Sequence, residues 1–270
     1  SSPSTTPSLH APRILCLHGG GVNSSIFRTQ CRALIKHLPH FRLVFADGPW
    51  FCSAGPGIFP VYADCGPFRR WLRWTPDHPP IDDEAAVEEI LYEIERCQRE
   101  DTERHGATGE WVGLLGFSQG AKVAASLAFD EQIRRERGIG RGEGEEEKED
   151  GRTTTNNYRF AVLMAGRNPL VSLGEYSKDP ALVSAGQMSE GFEYEGISPH
   201  ILRLPTLHVH GLMDEGLHLH RKLLRQYCDP QTADVIEWDG GHRIPIKWED
   251  VKPITEWIYR TARREGVVID

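Results

Sequence analysis

The stretch Gly116-Phe117-Ser118-Gln119-Gly120 follows an apolar run, Trp111-Val112-Gly113-Leu114-Leu115, and precedes residues 121–129, which read as helix. A serine between two glycines at a strand-to-helix junction is the setting of a nucleophile elbow, a strained turn that lifts the hydroxyl above the end of a sheet. An ordinary glycine turn would fit the five residues taken alone. The flanking elements narrow the choice, because a close approach of strand and helix excludes a Cβ on either side of the serine. Ser118 is therefore the expected nucleophile.

A serine hydroxyl needs a base to take its proton, and the base needs a group to orient it. With 12 histidines in the chain, order along the sequence decides among them. Where the nucleophile sits on such an elbow, the acid and then the histidine follow it on loops after the late strands. Pro205-Thr206-Leu207-His208-Val209-His210 is rich in strand formers and runs into Gly211-Leu212-Met213-Asp214-Glu215-Gly216, which puts Asp214 in the acid's place. Ala233-Asp234-Val235-Ile236-Glu237-Trp238 reads as the next strand, and Asp239-Gly240-Gly241-His242 as the loop behind it, which puts His242 in the base's place. Among the rivals, His208 and His210 read as packed or edge residues, and His218 and His220 as a solvated face at a helix start. Glu215 is a substitute acid if the loop turns differently, and Asp239 reads as a turn residue.

Near the amino end, Arg13-Ile14-Leu15-Cys16-Leu17 reads as a buried strand running into His18-Gly19-Gly20-Gly21-Val22. A His-Gly-Gly-Gly loop after an early strand supplies one backbone amide to an oxyanion hole, and the residue after the nucleophile supplies the second. Val22, or a neighbouring glycine, and Gln119 are the expected donors. Amides of this kind contribute about 3 to 4 kcal/mol each to the transition state.

The remaining sequence alternates strand and helix, which predicts an α/β fold, a mostly parallel sheet with helices on both faces. Helices are expected over 26–38, capped by Ser24 or Ser25, from Asp82-Asp83-Glu84 to about Arg104, and over Trp248–Arg264. Strands are expected at Phe41-Arg42-Leu43-Val44-Phe45-Ala46 and Phe160-Ala161-Val162-Leu163-Met164. Residues 1–12 read as a disordered tail without the apolar core of a signal peptide, and 13–270 as one domain. Residues 137–157, with Gly-Glu-Gly-Glu-Glu-Glu-Lys-Glu-Asp-Gly, are too charged to bury anything and read as a disordered acidic insertion. Residues 47–80 differ in kind: they mix Pro and Gly with an aromatic density no solvated loop would carry. Such residues fit core under a long loop, but the segment leaves a strand end on the catalytic side. Trp50, Phe59, Tyr62, Phe68 and Trp71, with Gly21 beside them, are therefore the expected substrate contacts in a pocket wall or lid.

At a net charge of −8 the chain has no basic face for nucleic acid, and no stretch is long and apolar enough for a membrane span. Six dispersed cysteines without CxxC spacing fit reduced thiols in the cytoplasm, with no metal, and only Cys52 and Cys65 lie where a bridge is worth testing. The expected chemistry needs no cofactor, and charge and size suggest a monomer or weak dimer.

Taken together, His18-Gly19-Gly20-Gly21, Phe45-Ala46-Asp47-Gly48-Pro49, Gly116-Phe117-Ser118-Gln119-Gly120, Asp214 and Gly240-Gly241-His242-Arg243-Ile244-Pro245 resemble the fungal serine hydrolase family. That family also includes the human ovarian-cancer-associated hydrolase. The resemblance runs from Arg13 to the last helix. It implies an α/β-hydrolase with a Ser-His-Asp triad acting on carboxylic esters or acyl thioesters. Ala54-Gly55-Pro56-Gly57 and Cys65-Gly66-Pro67-Phe68-Arg69-Arg70-Trp71 look like the members encoded in fungal polyketide clusters. By that resemblance the substrate is an acyl thioester and the partner is the acyl carrier domain of a reducing polyketide synthase. A generalist short-chain carboxylesterase, and a non-catalytic binding protein on the same fold, are the other readings.

Overall fold

The computed structural model describes residues 8–138, 156–196, 198 and 201–269. The expected disorder of the tail and of the acidic insertion falls largely outside these residues. In chain order the elements are β1 (Arg13–Leu17), α1 (Ser24–Gln30), α2 (Arg32–His37), β2 (Arg42–Ala46), β3 (Trp50–Cys52), β4 (Phe68–Arg70), α3 (Asp83–Glu103), β5 (Trp111–Phe117) and α4 (Gln119–Glu136). They continue with β6 (Phe160–Met164), β7 (Val171–Ser172), β8 (Val183–Ser184), β9 (Thr206–Gly211), α5 (Leu217–Tyr227), β10 (Ala233–Trp238) and α6 (Trp248–Arg264).

Six strands form one sheet in the order β10-β9-β6-β5-β1-β2, and every pairing in it is parallel. A parallel sheet covered on both faces buries its strands completely, so they read as apolar runs. β1, β5 and β6 are buried at every position. Alternation then sorts their side chains between two cores. Leu15, Leu17, Ala161 and Leu163 face a core shared with α3 and α4, while Ile14, Cys16, Phe160, Val162 and Met164 face one shared with α1, α2 and α6. Exposed Asp234, Val235 and Glu237 mark β10 as the edge strand.

The long helices follow from local signals. Asp82 caps α3 by accepting from the Glu84 and Ala85 amides, and Ala86, Ile90 and Ile94 form its buried stripe. The helix expected over 26–38 is two pieces broken at Cys31, a break that gathers Phe27, Cys31, Leu34 and Leu38 into one core. Its cap is Asn23, whose side chain accepts from Ile26 N, and neither expected serine fills that role. Asp101, 2% exposed, ties α3 to the sheet by pairing with Arg13 of β1 at 3.4 Å and Arg42 of β2 at 2.5 Å. Cys52 and Cys65 are both free thiols, so no bridge closes the 47–80 segment. Among the described residues no helix is long and apolar enough to cross a membrane.

The contact of α4 with β1 is the tightest constraint in this arrangement. A Cβ added to Gly120 would lie 2.1 Å from the Leu17 carbonyl oxygen and 2.5 Å from that of His18, backbone atoms that cannot swing aside. Gly120→Ala is accordingly expected to destabilise by about 3 kcal/mol or more, lowering Tm by about 6 °C or more. Gly57→Ala, where φ is +74 but nothing lies within 4 Å, is expected to cost only the backbone term of about 1 to 2 kcal/mol. Thermal melts of the two variants check the contrast, and equal losses would refute it.

Candidate active site

Strand β5 ends at Phe117, and the chain reverses at Ser118 with φ 54 and ψ −115 before α4 begins. A non-glycine residue at positive φ is strained and persists only where its surroundings over-determine it. Here Ser118 N–H donates to the Met164 carbonyl of β6 at 2.8 Å, and Ser118 O accepts from Ala121 and Lys122 N–H. Gly116 is required as well, since a Cβ there would lie 2.4 Å from Gly120 O. Ser118 occupies the N-cap position of α4, but its side chain makes no capping bond. Its Oγ instead lies 3.0 Å from His242 Nε2.

The other two residues come from loops at the same end of the sheet. Gly211 ends β9, and its missing Cβ lets the Gly240 carbonyl approach to 2.4 Å from where that atom would be. Leu212 N–H donates to Trp238 O and Met213 N–H to Gly240 O, which locks the acid loop to the histidine loop. Asp214 Oδ1 accepts from Gly216 N at 2.8 Å, and Oδ2 lies 2.6 Å from His242 Nδ1. A carboxylate only accepts, so Nδ1 carries the proton and Nε2 presents its lone pair to the Ser118 hydroxyl. Burial pushes the Asp214 carboxyl upward, but the Gly216 amide and His242 outweigh it and hold the group below the usual carboxylate range. Ser118, His242 and Asp214 thus form one hydrogen-bonded chain able to move a proton from Oγ to Nε2.

Glu215 and Asp239 are exposed, and His208 and His210 are 1% exposed on β9, an interior strand. His220 corrects the expectation of a solvated face: it is fully buried, with Nε2 3.8 Å from Asp214 Oδ2 and its ring 6.2 Å from that of His242. The signal was present, because His220, Leu223 and Tyr227 stand at i, i+3 and i+7 on the buried stripe of α5. Among the described residues, Asp214, His220 and His242 are the one group whose donor atoms lie close enough to share a metal ion. A metal held through Nδ1 of His242 would displace the proton that atom carries and with it the bond to Asp214.

The His18-Gly19-Gly20-Gly21 loop abuts the elbow, since a Cβ on Gly19 would stand 3.5 Å from that of Ser118 and 3.1 Å from the Phe117 ring. His18 is fully buried, and its pKa is pulled down to about 4 by that burial, so it is neutral. Gly48 N–H donates to its Nε2 at 2.9 Å, and its Nδ1–H donates to Gly19 O at 2.7 Å. Gly21, at φ +77, fits against Gly55 with no space for a Cβ, and its amide donates to Arg69 O. That amide is therefore engaged within the protein and is not open to a substrate oxygen. The Val22 and Gln119 amides, the two expected donors, meet no hydrogen-bond partner among the described residues.

The 47–80 segment folds as a β3–β4 hairpin bound to these same parts. Val22 bridges to Arg69, and Asn23 Nδ2 donates to Cys65 O and Pro67 O. The Gln119 side chain, which sequence reasoning passed over in favour of its amide, accepts from Trp71 and Leu72 N–H and donates to Leu72 O. Trp71 is a correction to the expected pocket wall: it is fully buried, with Nε1–H donating to His18 O at 3.0 Å, so it anchors the segment from beneath. Trp50, Tyr62 and Phe68 are half-buried and Phe59 is 60% exposed. Tyr62 and Phe68 pack with Val22, Ile26 and Ile58 in a small satellite core. Lys122, one turn beyond Ser118, was also missed: it is buried, donates to Ser189 Oγ at 2.7 Å, and is pulled down to about 7 by burial and Arg167.

The family model described as serine hydrolase (FSH1) matches residues 7–254. The esterase citA of Monascus ruber is 47% identical over 261 residues, covering 96% of this chain and 95% of that protein. The esterase claE of Penicillium crustosum is 47% identical over 268 residues, with 96% of each covered. Among solved structures, the Bacillus cereus carboxylesterase superposes with a TM-score of 0.50 at 15% identity, covering 94% of this chain and 91% of that one. At that identity the likeness shows the α/β-hydrolase fold alone.

Burial holds His18 at about 4 and His208 at about 3, against 6.5 for a free imidazole. Because the folded values are depressed, the unfolded chain takes up more protons once pH drops below about 6.5. Stability from these two neutral rings is thus complete above that pH and is lost as pH falls toward about 4 and then 3. Each ring contributes a slope of up to about 1.4 kcal/mol per pH unit in that window. Urea unfolding of the wild type and His208→Leu from about pH 7 to 4.5 is expected to show the slope reduced by about that amount in the variant. Identical slopes would mean that His208 titrates normally.

Proposed function

We propose a reaction for this chain on the premise that it belongs to the FSH1 family of serine hydrolases: it cleaves an acyl thioester, releasing a polyketide acyl chain from a carrier domain. The observation that carries the reading is the chain of contacts from Ser118 Oγ through His242 to Asp214, 3.0 and 2.6 Å long, on a strained elbow. Ser118 attacks the acyl carbonyl while its proton passes to His242 Nε2, and Asp214 steadies the imidazolium that forms. The Val22 and Gln119 amides, without partners among the described residues, hold the oxyanion. His242 then protonates the departing thiol and activates the water that hydrolyses the acyl-enzyme.

A thioester on a carrier is favoured by the Cys65–Trp71 loop, which resembles that of polyketide-releasing members, and by the aromatic hairpin beside the oxyanion loop, which suits a reduced chain. A short-chain carboxylic ester is the second reading, supported by relatives that bear the name esterase. The catalytic residues are the same in both.

Ser118→Ala is expected to lower kcat by about 10⁵-fold or more with an unchanged melting curve, and Asp214→Asn by about 10⁴-fold. Wild type is expected to trap an acyl adduct, seen by intact-protein mass, with long-chain thioesters in preference to matched short esters. Turnover confined to short esters would favour the second reading, and retained activity in Ser118→Ala would remove the mechanism.

A further inference from the structure

Of the two arginines buried among the described residues, one is satisfied and one is not. Arg13, 5% exposed, ends on Gly109 O, Thr102 Oγ1 and Asp101. Arg70, 2% exposed, has both Nε and Nη1 buried without a hydrogen-bond partner, and among the described residues it pairs with no carboxylate. Its guanidinium lies 5.1 Å from the Trp50 ring centroid, and the charged or titratable groups that act on it are Cys52 and Arg73. His78 lies beside them: burial, Arg70 and Arg73 push its pKa down while Asp77, on the exposed rim, pushes it up, and Arg73 donates to its carbonyl at 2.9 Å. Arginine stays charged under all ordinary conditions, and a buried charge without a partner is costly. The Arg70 guanidinium, walled on one side by Trp50, therefore lacks the anion that would offset its charge among the described residues, since the nearby Asp77 acts on His78.

The backbone puts Arg70 beside the reacting centre. The residue before Arg70 bonds to the oxyanion loop, Arg69 N–H donating to Val22 O at 2.6 Å and Gly21 N–H to Arg69 O at 2.9 Å. The residue after it, Trp71, is held through its amide by the side chain of Gln119, which directly follows Ser118. Trp74 packs on the same loop, its ring 2.6 Å from where a Gly20 Cβ would stand. Adjacent Arg69 is satisfied differently, by the Gly48 and Pro49 carbonyls and the Phe51 ring 3.9 Å away. The hairpin thus fastens one arginine to itself and leaves the next unpaired beside the oxyanion loop.

We propose that Arg70 anchors an anion subsite next to the oxyanion loop, which takes a carboxylate or phosphate oxygen carried by the substrate. The subsite rests on the hydrolase reading above and refines its substrate class. The guanidinium fork grips two oxygens at once, and the Trp50 wall excludes water that would weaken the contact. The anion has two chemical sources in an acyl thioester: an acid group on the acyl chain, or the phosphate of the pantetheine arm that carries it.

Two matched pairs separate these sources. One compares butyryl and succinyl esters of the same phenol, and the other compares butyryl-pantetheine with butyryl-4′-phosphopantetheine. In the wild type, the anionic member of at least one pair is expected to have a kcat/KM about tenfold higher or more, through KM, at low salt. The preference is expected to shrink at high salt. The ratio within each pair, read in the same protein so that absolute rate cancels, is expected to fall to about one in Arg70→Met and to recover in part in Arg70→Lys. Should Arg70→Met fail to fold, competitive inhibition of butyryl ester hydrolysis by inorganic phosphate, weakened in Arg70→Lys, tests the same point in folded protein. Equal turnover within both pairs of the wild type overturns the subsite while leaving the hydrolase reading intact. Absence of Ser118-dependent turnover of all four substrates removes the hydrolase reading, and the subsite with it.

Discussion

The rest of the site hangs on the reversal at Ser118. Its backbone holds φ 54 and ψ −115 because three things enforce it: the Met164 carbonyl on one side, the first turn of α4 on the other, and two glycines that let strand and helix approach within the reach of a single Cβ. Strain of this kind survives only inside a rigid frame. The frame here is the interior of an all-parallel sheet, where β5 lies between β6 and β1 and is buried throughout. The same close approach that positions the Ser118 hydroxyl forces α4 against the Leu17 and His18 carbonyls, so Ser118 and the His18–Gly21 loop are set by one contact.

The hairpin segment is bonded to the parts it covers. Asn23 both caps α1 and holds the Cys65 and Pro67 carbonyls, Gln119 clips residues 71 and 72, and Trp71 donates to the carbonyl of His18. Each is a hydrogen bond within or next to the candidate catalytic machinery. A displacement of the hairpin would therefore carry the His18–Gly21 loop with it, so the two move as one unit beside Ser118.

Electrostatically the site separates groups of one kind by environment. His242 is exposed and lies between the Ser118 hydroxyl and the depressed carboxyl of Asp214. His18, His208 and His220 are buried and held neutral, so they shape the interior without competing as bases. The neutral His220 behind Asp214 fills space that a charged residue would turn into a second counter-ion.

Much of this was legible in the sequence. The apolar runs of β1, β5 and β6 could be read because a parallel sheet buried on both faces needs no alternation, and the elbow because its glycines mark a contact that only they permit. The order Ser118, Asp214, His242 could be read because the loops after late strands of such a sheet open at one end. The family followed from the same motifs. Side-chain assignments that depend on what packs across from a residue were not legible. Trp71 and Phe59 are both aromatic residues in one loop, yet one is a buried anchor and the other is mostly in solvent. His218 and His220 lie two apart on one helix, yet only His220 turns inward. Arg69 and Arg70 are chemically identical neighbours, and the pleat of the hairpin leaves one hydrogen-bonded and the other buried against Trp50 without a hydrogen-bond partner for Nε and Nη1 among the described residues. Sequence by itself determined the sheet, the elbow and the order of Ser118, Asp214 and His242 along the chain, because these follow from backbone sterics and local pattern. Tertiary structure decided which side chains are anchors, clips or unpaired charges, because burial and partnership are properties of what the chain brings together from far apart.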